Sequence, residues 1–193
     1  MTVAKPYLFT NIDSMIEALI TSKTRVKLLL KFFLNPNNLA HLRGLSKEFN
    51  ESSNAIRLEL NRMEEAGMLK SNNQGNKKIF QVNIKHPLYA AIHQIMKKYT
   101  GIDEIIENIL RGLGDLDKVY MGGDLAKGMQ SDVIDLILIG DINKDYLLET
   151  IEKAEQATDK KIKFLNYTQK EAYSIDFNKE DYLLIYKDTT PSK

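Results

Sequence analysis

The chain has 193 residues, 43% of them hydrophobic and 27% charged, which fits one or two globular domains at roughly 150 residues each and excludes a disordered or fibrous chain. No apolar run approaches the ~18 residues that span a bilayer, no apolar export segment follows Met1, and cysteine is absent, so disulfides, thiolate-bound zinc and thiol catalysis are excluded. The net charge of +1 hides an asymmetry: residues 1–85 carry 13 Lys and Arg against 7 Asp and Glu, and the remainder carries 14 against 19.

A basic half (+6) joined to an acidic half (−5) predicts that the first half meets an anionic polymer and the second does not. A cytoplasmic protein with no membrane partner, no cofactor and no metal is expected. The three histidines, His41, His86 and His93, are too few for a metal site without carboxylate help.

In chain order, helices are predicted over Ser14–Ile20 and Thr24–Leu34. In the second, Val26, Leu29, Leu30 and Phe33 fall at helical spacing with Lys23, Arg25, Lys27 and Lys31 between them. Asn35-Pro36-Asn37-Asn38 stops it. A short segment over Leu39–Phe49 follows, then a helix capped by Ser52 or Ser53, running to Ala66 and ended by Gly67. Ile56, Leu60 and Met63 form its inward stripe, and Ser53, Arg57 and Asn61 form a second stripe turned away from it. A strand begins at Met68-Leu69-Lys70, a polar loop covers Ser71–Asn76, and Lys77–Asn83 is strand-like. Helix–turn–helix followed by strand, polar turn and strand is the order of a winged helix.

Such an arrangement suits double-stranded DNA. A helix fits the major groove, where Arg57 can bridge a guanine bidentately and Asn54 or Asn61 can pair with adenine. Ser52 and Ser53 suit phosphate oxygens. Arg43, Lys47, Lys70, Asn76, Lys77 and Lys78 complete the candidate DNA-binding set, the wing lysines supplying affinity without sequence information. The competing reading is a three-helix domain for protein contacts with Arg57 and Asn61 on a solvated face. The stretch from Leu39 to Asn50, then Asn54 to Leu69 with its Glu-Glu-Ala-Gly-Met-Leu ending, and Gly75-Asn76-Lys77-Lys78 resembles the winged-helix repressors of the ArsR/MarR type. That resemblance covers about residues 20–85. It implies a recognition helix over 52–66 and a wing over 70–80, without the Cys ligands that ArsR-type metal sensors often use.

His86-Pro87 is predicted to open a helix with Leu88, Ile92, Ile95, Met96 and Tyr99 on one stripe. Thr100-Gly101 breaks it before Ile102, Ile105, Ile106, Ile109 and Leu110. Stripes of this kind predict a homodimer, which would match two-fold DNA half-sites; otherwise they bury the second domain. His93 is read as a packing or surface residue. After Gly112–Gly114 come strands over Lys118–Met121, Val133–Gly140 and Ile162–Tyr167, a helix from Asn143 or Asp145 through Ala157, a short helix Gln169–Tyr173, and an apolar segment Asp181–Tyr186. Alternating strand and helix predicts a small α/β domain.

The strand–Gly122-Gly123-Asp124-Leu125-Ala126-Lys127-Gly128–strand pattern, with Ser131, Asp132 and Asp135, resembles the minimal nucleotidyltransferase domain fused to a winged helix. In that family a Gly-Ser turn cradles phosphates and an Asp-x-Asp pair holds two magnesium ions. Here Asp124 replaces the Ser, the loop is about two residues short, and the carboxylates stand three apart. Residues i and i+3 of a strand point to opposite faces, so only Asp135 can face the pocket, and the strand Ile162–Tyr167 supplies no third carboxylate. The expected class is therefore α+β: an N-terminal winged helix-turn-helix (1–85), a helical connector (86–112) and a small α/β nucleotidyltransferase-like domain (113–193). It is expected to lack catalytic residues, serving dimerisation or binding of a small-molecule effector. The alternative is an active magnesium-dependent nucleotidyltransferase targeted by its winged helix.

Overall fold

The computed structural model describes residues 12–110, 113–158, 160–177 and 181–188, so the expectations for the first residues and for Gly112 lie outside the described residues. The described chain forms two compact units, one of residues 13–99 with 128–130 and one of residues 100–127 with 131 onward. The predicted connector is thereby shared between them: its first helix belongs to the first unit and its second helix to the other.

In the first unit, helix α1 spans Ile12–Leu19 and helix α2 spans Lys23–Leu29, with the Ser22 side chain accepting a hydrogen bond from the Arg25 N–H as its N-cap. The expected single helix to Leu34 instead widens into a π-helical turn over Leu30–Leu34. In that turn five successive side chains, Leu30 to Leu34, are buried; a regular helix would turn some of them outward. The widened turn has its Phe33 carbonyl tied down: His93 Nδ1 lies 2.6 Å from it and must be the donor. The Tyr89 ring sits between the two residues, 6.0 Å from Phe33 and 5.8 Å from His93. His93 is thus a packing residue with a defined main-chain partner.

Strand β1 (Ala40–His41) leads into helix α3 (Leu42–Phe49), which ends at Asn50 in the left-handed region at φ 52°. Helix α4 (Ser53–Glu65) is capped by Ser52, whose hydroxyl accepts from the Ala55 N–H, and Gly67 at φ 73° terminates it. Ile56, Leu60 and Met63 are buried as their spacing predicts. Strand β2 (Leu69–Gln74) and strand β3 (Lys77–Val82) make an antiparallel hairpin, and β1 pairs the other edge of β3. The polar stretch Ser71–Gln74, expected as loop, is strand paired with Lys77–Phe80. The loop shrinks to Gly75-Asn76 because Gly75, at φ 57°, supplies the positive φ of a two-residue turn. Helix α5 (Tyr89–Thr100) begins later than His86-Pro87; His86 Nδ1 instead accepts from the Leu88 N–H in the preceding turn.

Ion pairs bind α2 to its neighbours: Arg25 to Glu59 at 2.8 Å, Lys27 to Glu51 at 2.6 Å and Lys31 to Glu48 at 2.8 Å. Glu59 is 5% exposed. Burial pushes its carboxyl up, but hydrogen bonds from Arg25 and Ser22 and the Arg25 and Arg62 charges outweigh that and hold it below its ordinary value of 4.5. A lowered carboxylate stabilises the fold above its unfolded pKa and loses that contribution as pH falls through the folded pKa. Glu59→Gln should therefore lower stability by roughly 1–3 kcal/mol at neutral pH, and the loss should shrink as pH falls below 4.5. Urea unfolding across a pH series checks this.

In the second unit, helix α6 (Ile102–Leu110) packs against helix α8 (Lys144–Thr158). Strand β4 (Gly114–Gly122), longer than the predicted Lys118–Met121, pairs antiparallel with strand β5 (Val133–Ile142). Between them in sequence lies the short helix α7 (Gly123–Ala126). Strand β6 (Lys161–Tyr167) lies parallel to β5 after the α8 crossover, and strand β7 (Leu183–Lys187) closes the other edge in the order β6-β5-β4-β7. Leu136–Gly140 are buried without interruption, as a strand covered on both faces requires. Helix α9 (Gln169–Ala172) opens with a capping box between Thr168 and Glu171.

Candidate nucleic-acid interface

The first unit carries a cleft of about 520 Å³ where the outer face of α4, the start of α3 and the wing hairpin β2–β3 meet. Arg43 enters from α3, Arg57 and Asn61 from α4, and Asn76, Lys77 and Lys78 from the wing. Its floor is Leu42, Leu60 and Phe80, and no acidic residue lines it. Six of the eleven DNA-binding candidates are thus brought to one concave surface.

Pairing sorts the cations. Glu48, Glu51, Glu59 and Glu64 are occupied by Lys31, Lys27, Arg25 with Arg62, and Lys78. Arg43, Lys47, Arg57, Lys70 and Lys77 form no ion pair among the described residues. Lys78 is different: it lies 2.6 Å from Glu64 and 5.1 Å from the centre of the Phe80 ring. The hydrogen bonds from Lys78 and Ser71 hold the Glu64 carboxyl below its ordinary value. Lys78 therefore ties the wing to α4 and offers a ligand less charge than Lys77 does.

The remaining candidates do not line the cleft. Lys47 and Lys70 are exposed on α3 and β2, and Asn54 is exposed in the first turn of α4. The Ser52 hydroxyl is spent as the helix cap, and Ser53 Oγ lies 2.9 Å from Ser46 Oγ. One polar residue of the cleft, His41, lies outside the predicted set. His41 caps α3, its Nδ1 accepting from the Gly44 N–H at 3.1 Å, which leaves the proton on Nε2 in a ring that lines the cleft. Leu58, half exposed on α4, sits outside the Ile56–Leu60–Met63 stripe.

The second candidate site does not assemble as a phosphate cradle. Gly122 pairs with Asp135 across β4 and β5. A Cβ on Gly123, at φ 65°, would fall 2.1 Å from Asp135 Oδ2, so the glycine makes room for a carboxylate. Asp124 is exposed on α7. Lys127 stands 3.3 Å from Asp181, and the Ser131 hydroxyl both donates to the Val133 carbonyl and accepts from its N–H. Asp132 lies before β5 while Asp135 lies within it. Among the described residues no three His, Asp or Glu side chains are grouped to hold a metal ion, so these residues do not fit the two-magnesium arrangement. No helix among the described residues is long and apolar enough to cross a membrane.

No family profile and no curated protein matches the chain. Among solved structures, reduced HlyU from Vibrio cholerae N16961 is 12% identical, over 46% of this chain and 88% of that one, with a TM-score of 0.35. Human N-acetylserotonin methyltransferase in complex with SAM is 9% identical over 58% of this chain and 37% of its own, with a TM-score of 0.28. Both likenesses are too slight to carry a functional conclusion, so the functional case rests on the geometry of the cleft.

Proposed function

We propose that the chain is a DNA-binding transcriptional regulator. Helix α4 enters the major groove with Arg57, Asn61 and Asn54 at base edges, and the wing follows the phosphates with Lys70 and Lys77. The observation that supports this most is the cleft itself: unpaired cations from three elements meet beside an exposed helix face, and no carboxylate opposes them. The fold spends the nearby acids on α2 and on Lys78, so positive potential concentrates on this one face. A protein-contact surface would have no need to keep its cations in one unpaired set.

On this reading the protein binds as a homodimer, two copies of α4 addressing half-sites about 34–36 Å apart. Exposed Ile84, Leu88 and Ile95 beside and along α5 support a self-association surface. The C-terminal unit keeps a nucleotidyltransferase-like alternation of strand and helix but transfers no nucleotide, and serves dimerisation or effector sensing. The engaged Lys127 and Ser131 support that assignment.

Lys77→Ala should weaken binding to all duplexes alike and reduce the salt slope of log K by about one unit. Anisotropy titrations at several salt concentrations measure this directly. An unchanged slope would remove Lys77 from the phosphate contacts.

A further inference from the structure

A second cleft, of about 370 Å³, lies on the sheet of the C-terminal unit beside α9. Its wall on β4 carries Asp117, Lys118 and Tyr120; Ile139 of β5, Gln169 of α9 and Phe177 complete it. Successive residues of a regular strand point to opposite faces, so Asp117 and Lys118 should not both line one cleft. They do so because the β4–β5 register shifts between Leu116 and Lys118, and a bulge of this kind re-aims a side chain. The irregularity places a carboxylate and an ammonium side by side in the same concavity.

The two charges are 3.9 Å apart, beyond hydrogen-bond length, so each keeps its bonding capacity for something else. A simple anion entering the cleft would meet Asp117, and a simple cation would meet Lys118. A molecule carrying both charged groups on one carbon satisfies both. Ile139, Ala172 and the Phe177 ring offer it apolar contact, and Gln169 offers an amide. Burial and the neighbouring Asp117 push the Tyr120 phenol up, which keeps it an O–H donor. Tyr120 and Phe177 stack on each other at 4.4 Å, so one face of each ring is already used and a nucleobase finds less stacking surface. Tyr173, at the rim, is 95% exposed and has no packing role to explain its aromatic ring. We infer that this cleft binds a free α-amino acid with an apolar side chain, its ammonium on Asp117 and its carboxylate on Lys118. This does not depend on the DNA-binding assignment.

The test is calorimetric titration of the full chain with L-phenylalanine, 3-phenylpropanoate (no ammonium), 2-phenylethylamine (no carboxylate) and guanosine. Saturable binding of L-phenylalanine is expected, about tenfold or more tighter than either single-charge analogue. Asp117→Asn and Lys118→Met should each weaken L-phenylalanine by a similar factor, and in Asp117→Asn the advantage over 3-phenylpropanoate should disappear. Both variants should fold, because the half-buried pair, 3.9 Å apart, adds little stability and the Asp117 contact to the Asp188 N–H is made by its main-chain carbonyl. Absence of saturable binding, equal binding of the single-charge analogues, or binding of guanosine in place of the amino acid would overturn the inference.

Discussion

Phe33→Ala should destabilise the N-terminal unit by about 3–5 kcal/mol. Phe33 has no exposed surface and sits inside the π-helical turn whose neighbours on both sides are buried. A truncated ring there leaves a cavity that the flanking Phe32 and Leu34 cannot fill without turning the helix. The Tyr89 ring loses its partner at 6.0 Å. The His93 bond to the Phe33 carbonyl is made to the main chain and survives the change, so the loss reads packing alone. Urea unfolding measures it, and Phe33→Leu should lose clearly less because it keeps most of the volume. A loss under about 1 kcal/mol would place Phe33 outside the core.

The largest effect on function is expected from Arg57→Ala: a loss of about 1–3 kcal/mol on the preferred duplex, with relaxed choice at one base position and little change on random DNA. Arg57 is exposed on α4 and has no ion-pair partner among the described residues, so its removal leaves no buried charge behind and the fold is spared. Arg57→Lys should not restore the preference, since a point-like ammonium cannot bridge two acceptors as the planar guanidinium does. Equal losses on preferred and random duplexes would make Arg57 a phosphate contact.

The local signals in the sequence were strong where the structure is local. Helix α4 lies almost where a serine cap, a 3.6-residue stripe and a following glycine place it, because each of those acts within a few residues. The wing was legible as strand–turn–strand, yet β2 extends through Ser71–Gln74 because main-chain pairing to β3 tolerates polar side chains facing water. The true length of β4 was hidden for a similar reason: Gly114 and Asp115 carry no strand signal, and pairing with β5 recruits them, while Asp117 is carried through the register shift between Leu116 and Lys118. The place of β7 beside β4 is a non-local contact that no periodicity reports. In the candidate interface, the residue types were legible but their electrostatic state was not. Arg25 and Glu59 are 34 residues apart, and only folding shows that Arg25, Lys27, Lys31 and Lys78 are paired while Arg43, Arg57 and Lys77 form no ion pair among the described residues.

On the proposed function, the cleft between α4 and the wing reads duplex DNA. The most direct measurement enriches a duplex from a random library on the full chain, then titrates that duplex and a scrambled copy by fluorescence anisotropy at two salt concentrations. A preference of at least ~10³ for the enriched duplex is expected, with affinity for both duplexes falling as salt rises. Equal affinity for the two duplexes, with no enrichment across rounds of selection, would contradict it.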